Sequence, residues 1–165
     1  MKAMNAGLLV AAIQVLLVAS VGGKFLIDRA RYPHVWAETQ PFDPNLPIRG
    51  RYIRMSAEVQ LDAAAPGINA IADDRVRLTV RDNALTAVPD ANGRHRIRKS
   101  NCRGSPCWVL IEPLAFFIPE HAIDPSRRPA GDALWVEVTI PPNGAPRPIR
   151  LGRNSNGQIE AIETE

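Results

Sequence analysis

The sequence predicts an all-β fold, an antiparallel sandwich or partly open barrel, carried behind an N-terminal membrane-spanning or signal-anchor helix. Three observations lead there. The first 27 residues are apolar and almost uncharged, and the rest of the chain alternates apolar and polar side chains with a period of two. Fifteen prolines and eleven glycines are scattered along the 165 residues rather than pooled in one linker, which fits frequent turns between short strands. With 45% hydrophobic residues, a chain of this length supports one core-forming domain.

The anchor is read over residues 1–27. From Ala6 to Gly23 there is no charge and one strongly polar residue, Gln14; these 18 residues meet the lower end of the roughly 17–25 needed to span a bilayer. A cleaved signal peptide shares the charged start and apolar middle, and Val18-Ala19-Ser20 offers small residues for cleavage. The apolar character resumes after Lys24 with Phe25-Leu26-Ile27, which fits an uncleaved anchor better. Lys24, Arg29 and Arg31 after the segment lean towards a cytoplasmic domain by the distribution of positive charge, whereas the signal-like start leans to the opposite side. Cys102 and Cys107 bracket CRGSPC, where Gly104 and Pro106 can turn the chain back so that the sulfurs meet. A disulfide there requires an oxidising compartment such as the periplasm; two free thiols are the alternative.

Residues 28–49 read as an extended, proline-containing lead-in with a first strand at His34–Thr39, and residues 50–165 as the β-domain. Its clearest strand places Ile53, Met55, Ala57, Val59 and Leu61 on one face and Tyr52, Arg54, Ser56, Glu58 and Gln60 on the other. The same alternation puts Val76, Leu78 and Val80 inward in RVRLTV, and Leu134, Val136, Val138 and Ile140 inward in ALWVEVTI. Half-buried strands of this kind form antiparallel sheets. Shorter strands are expected at 84–88, 94–98, 108–112, 114–118, 148–151 and 158–162. Turn chemistry joins them at Arg81-Asp82-Asn83-Ala84, and Asn92-Gly93 and Asn143-Gly144 accommodate positive φ.

The segment Gly50-Arg51-Tyr52-Ile53-Arg54-Met55-Ser56-Ala57 resembles the strand motif of the GDYXXLXY protein family. The lead-in PFDPNLPIRG, the step Phe116-Phe117-Ile118-Pro119-Glu120 and the strand Leu134-Trp135-Val136-Glu137-Val138 are similar to that family in order and spacing over nearly the whole chain. Arg51 stands at the motif's aspartate, Met55 at its leucine and Ala57 at its last tyrosine, so Gly50 and Tyr52 carry the match. Met55 keeps an inward apolar position. The resemblance implies a bacterial membrane-associated β-fold, but it implies no reaction.

The residues themselves point to binding rather than catalysis. No spacing singles out a carboxylate pair among the 17 acids. A Ser/Lys peptidase-like arrangement would need Lys99 as base and Ser56 or Ser100 as nucleophile, yet Lys99 lies in the hydrophilic run from Arg94, where a solvated ammonium keeps too high a pKa. That run lacks the interleaved aromatics on which nucleic-acid bases stack and reads as a solvated hairpin edge with Ile97 inward. His34, His95 and His121 lie at no metal-ligand spacing from the cysteines, and no cofactor is implied. The rings Trp108, Phe116, Phe117 and Trp135, near the Pro-Glu turn, suggest a pocket or partner groove with Glu120 as its polar handle. Tyr52, Arg54, Phe117, Glu120 and His121 are therefore the candidate binding residues. The expected function is that of a non-catalytic, single-pass inner-membrane protein whose periplasmic β-domain binds a membrane protein partner; an envelope hydrolase is the alternative.

Overall fold

The computed structural model describes residues 2–42, 52–62, 75–122, 125, 132–142, 144–155 and 157–163. Gly50, Arg51 and Asn143 lie outside them. The chain divides into two units, Met1–Tyr32 and Pro33–Glu165.

The first unit is one helix, α1 (Lys2–Arg31). Its Ala6–Arg31 portion is long and apolar enough to cross a membrane, with a mean hydropathy of 2.1 and none of it buried. At a rise of about 1.5 Å per residue, it exceeds the roughly 30 Å of a bilayer core. The helix continues past the boundary read at residue 27. Arg29 and Arg31 in its last turn complement the dipole, and Pro33 then disfavours helical geometry at Tyr32, whose amide closes on the Asp28 carbonyl at 3.0 Å.

The described residues of the second unit form a continuous ten-stranded, mostly antiparallel sheet: β1 (His34–Pro41), β2 (Tyr52–Leu61), β3 (Arg75–Arg81), β4 (Ala84–Pro89), β5 (His95–Cys102), β6 (Ser105–Leu110), β7 (Leu114–Phe117), β8 (Leu134–Thr139), β9 (Arg147–Ser155) and β10 (Gln158–Ala161). The strands run in the order β10-β9-β8-β1-β2-β4-β3-β5-β6, and β6 returns to pair with β2, so the sheet curls into a partial ring. Along one edge β2 pairs first with β7 and then with β6; along the other it pairs with β1 and then, in parallel, with β4.

Most of the alternation read from the sequence is realised. Val35 and Ala37 of β1, Ile53, Met55, Ala57 and Val59 of β2, Val136 and Val138 of β8 and Leu151 of β9 are buried in one core. Two faces expected to be wet are covered instead. Ser56 is buried between Met55 and Ala57, and Glu137 and Thr139 are buried beside Val136 and Val138, because β2 and β8 lie inside the sheet with both faces packed at those points.

Turn chemistry explains the hairpins. Asp82 and Asn83 both take positive φ, 48° and 58°, between the paired residues Arg81 and Ala84; their short polar side chains tolerate the left-handed region. Arg103 and Gly104, at 49° and 87°, do the same between Cys102 and Ser105, extending β5 and β6 into what was expected to be a loop. Cys102 and Cys107 are joined by a disulfide across this hairpin, with Cα atoms 5.6 Å apart. Among the described residues the basic strand β5 meets β3 only at His95 and Arg96, and beyond them Arg98 and Lys99 are exposed while Ile97 is fully buried.

Gly93 serves close approach, and not the positive φ expected of it. A Cβ there would lie 2.5 Å from the Val76 carbonyl oxygen and 2.7 Å from the Val76 nitrogen, both backbone atoms of β3. Gly93→Ala is expected to destabilise the protein by about 1–3 kcal/mol, the range of core overpacking. The urea midpoint of the full chain in detergent measures it, and an unchanged midpoint would contradict this packing.

Candidate functional site

The polar side of β1 carries Trp36, Glu38 and Gln40, opposite the buried Val35, Ala37 and Thr39. Cross-strand register sets Trp36 against Glu137 and Glu38 against Trp135 on β8, and Gln40 against Ser56 on β2. Tryptophans and carboxylates therefore alternate across one face of the sheet. Gly152, opposite Trp135 on β9, makes room for an indole: a Cβ there would meet the Trp36 ring at 2.6 Å.

Trp36, Glu38, Glu58, Gln60 and Trp135, with the β3–β4 turn residues Asp82 and Asn83, line a cleft of about 360 Å³. A neighbouring depression of about 500 Å³ shares Glu58 and is otherwise lined by the disulfide hairpin, including Arg103. Arg103 pairs with Glu38, and Gln40 Nε2 donates to Glu58 Oε1 at 2.8 Å. Glu38 is thus tied to the hairpin turn, while Glu58 is held by a neutral amide. The Trp135 indole Nε1 is buried without a hydrogen-bond partner.

Glu137 forms a second polar cluster beside the cleft. It is buried, pairs with the Arg150 guanidinium and lies 3.4 Å from His34 Nδ1. Arg150 also sits 5.5 Å from the Trp36 ring centroid, within cation–π range. The pair spans β8 and β9, and the arginine compensates a carboxylate whose burial would otherwise be costly.

The binding residues expected from the sequence gather elsewhere. Tyr52 and Phe117 are cross-strand partners on β2 and β7, with ring centroids 5.5 Å apart at 70° and about half of each residue exposed, 48% and 57%. Arg54 lies 5.8 Å from the Phe42 ring centroid. Glu120 and His121 follow β7 in an exposed turn, closed by the Ala122 amide donating to Pro119 O at 3.2 Å. Among the described residues, β7 pairs only with β2.

The single aromatic pocket expected from Trp108, Phe116, Phe117 and Trp135 is divided. Trp108 and Phe116 pack on the core, Phe117 faces solvent with Tyr52, and Trp135 joins the cleft. Adjacent residues of a strand face opposite ways, so Phe116 and Phe117 cannot share a pocket. Trp36 and the juxtaposition of Glu38 and Glu58 in one cleft were missed. The signal was present in HVWAETQ, whose polar face carries a tryptophan where solvent alone would require none.

The residues of the Ser/Lys arrangement are not brought into contact. Ser56 is 2% exposed and its hydroxyl has no hydrogen-bond partner, whereas the Lys99 ammonium lies 5.5 Å from the Trp108 ring centroid on the exposed side of β5. Glu58, Cys102 and Cys107 converge closely enough to resemble a metal-ligand set, but both sulfurs are committed to the disulfide.

No protein-family model, curated protein or solved structure matches the chain.

Burial pushes the Glu38 carboxyl above its usual value of 4.5, the Glu58 carboxylate pushes it the same way, and Arg103 pulls it back. A carboxyl raised in the folded state contributes stability below its unfolded pKa and loses it as pH rises through the folded value. The wild-type chain is therefore expected to lose stability relative to Glu38→Gln between about pH 4 and about pH 7. Urea midpoints of the two proteins at both pH values test this. A difference moving in favour of the wild type as pH rises would contradict it.

Proposed function

We propose that the chain is a membrane-anchored, non-catalytic accessory subunit whose β-unit binds another membrane protein through the aromatic edge at Tyr52 and Phe117. The single observation that carries this reading is that exposed ring pair across β2 and β7, where β7, among the described residues, pairs with β2 alone. Large rings half out of water are favoured contacts at protein interfaces, and an open strand edge offers backbone groups to a partner. Arg54 and Phe42 extend the same surface with a cation–π pair, and Glu120 and His121 supply a polar rim just beyond β7.

The setting proposed is the inner membrane, with α1 as anchor and the β-unit in the periplasm. A cysteine pair joined across an exposed hairpin fits an oxidising compartment, and the apolar helix fits a single span. The resemblance to GDYXXLXY proteins points to a membrane-associated setting of the same kind.

A photo-crosslinking side chain at position 117 of the full chain tests the proposal in intact cells. The expected product is one discrete adduct with an integral membrane protein, reduced at least about tenfold by Tyr52→Ala, the scale of a central interface aromatic. A soluble partner, or an adduct indifferent to Tyr52, would contradict it. Loss of an envelope phenotype in Ser56→Ala or Lys99→Ala with the adduct intact would replace it with the hydrolase reading.

A further inference from the structure

We propose that the arginine face of β3 and β5 binds the anionic phosphodiester headgroups of the membrane to which the chain is anchored. This rests on the reading of α1 as a membrane anchor, and it does not depend on the aromatic edge at Tyr52 and Phe117.

Strand parity builds the face. Val76 and Leu78 of β3 and Ile97 of β5 are buried, so Arg75 and Arg77 of β3 and Arg96 and Arg98 of β5 fall on the opposite, exposed side. Arg94, just before β5, is exposed as well. Register then sets Arg75 directly across from Arg96. Side chains so opposed have Cβ atoms about 5 Å apart, and like charges there weaken the pairing of the strands.

Acidic neighbours meet only part of this charge. Arg77 reaches Asp90 at 3.5 Å and Arg96 reaches Glu112 at 3.7 Å, and both arginine side chains stay exposed, where such pairs hold weakly. Among the described residues, Arg75 donates to the Gly93 carbonyl at 3.5 Å and to no carboxylate, and Arg98 forms no ion pair. A phosphodiester is suited to what is left over. It accepts the fork of a guanidinium through two oxygens, and its charge offsets the repulsion between Arg75 and Arg96.

Connectivity selects the source of that phosphodiester. Tyr32 and Pro33 alone separate α1 from β1, so the β-unit is held close to a bilayer surface on which such groups stand at high local concentration. Nucleic acid offers the same phosphates, but neither β3 nor β5 carries a phenylalanine, tyrosine or tryptophan on which bases stack.

Phosphatidylglycerol and phosphatidylcholine share the phosphodiester, and only the first leaves its charge uncompensated. The full chain in dodecyl maltoside, an uncharged detergent, is titrated with each lipid, and native mass spectrometry counts the lipids bound. Phosphatidylglycerol is expected to bind at least about tenfold more tightly than phosphatidylcholine. Arg75→Gln with Arg98→Gln is expected to weaken phosphatidylglycerol about tenfold and to leave phosphatidylcholine unchanged. Arg75→Lys with Arg98→Lys keeps the charge and is expected to keep most of the preference, which separates loss of charge from loss of fold. Equal binding of the two lipids would overturn the proposal. So would a preference indifferent to Arg75 and Arg98, which would assign it to Lys24, Arg29 and Arg31 at the end of α1. Oligothymidylate that binds more tightly than phosphatidylglycerol, and is lost in the glutamine variant, would replace it with a nucleic-acid surface. Release of the chain from membranes by alkaline carbonate would overturn the anchor itself; retention there without a lipid preference would overturn this proposal alone.

Discussion

β2 is hydrogen-bonded along both edges, to β7 and β6 on one and to β1 and β4 on the other, and this shared strand is the constraint on which the architecture depends. Its first half belongs to the broad sheet that runs through β1, β8, β9 and β10. Its second half closes the curl through β4, β3, β5 and β6. A strand with four partners is enclosed where they meet, and that is where Met55, Ser56 and Ala57 are buried in succession. Small side chains at Ser56 and Ala57 allow this enclosure. A tyrosine at position 57 would have to fit at a site that is wholly buried.

The same strand distributes the functional chemistry. At its beginning, Tyr52 faces Phe117 and solvent; towards its end, Glu58 reaches the cleft shared with Trp36, Glu38 and Trp135. The disulfide hairpin enters through Arg103, a positive-φ residue of its two-residue turn whose guanidinium pairs with Glu38. One hairpin thus contributes a charge to a face built by three other strands. The aromatic edge and the acidic cleft therefore lie at different points on one rigid element.

Much of this was legible in the sequence. The period of two in RYIRMSAEVQL and ALWVEVTI identified β2 and β8 and their inward residues, and the apolar run from Ala6 identified the helix. The alternation could not reveal where both faces of a strand are covered, because Ser56, Glu137 and Thr139 are polar residues whose burial comes from distant neighbours. The cleft was hidden for the same reason: Glu38 and Glu58 lie on separate strands, and their proximity comes from register and not from spacing. Gly93 looked like a positive-φ turn residue because Asn-Gly commonly is one; only the approach of Val76 reveals its role.

Hydrogen exchange of the full chain under rising denaturant tests most directly whether β2 couples the sheet into one unit. If β2 is the shared constraint, the slowest amides lie in Met55–Val59, and β1, β8, β3, β5 and β6 lose protection with the same denaturant dependence as β2. Exchange of β3–β6 as a separate cooperative unit, while β2 and β8 stay protected, would contradict the account.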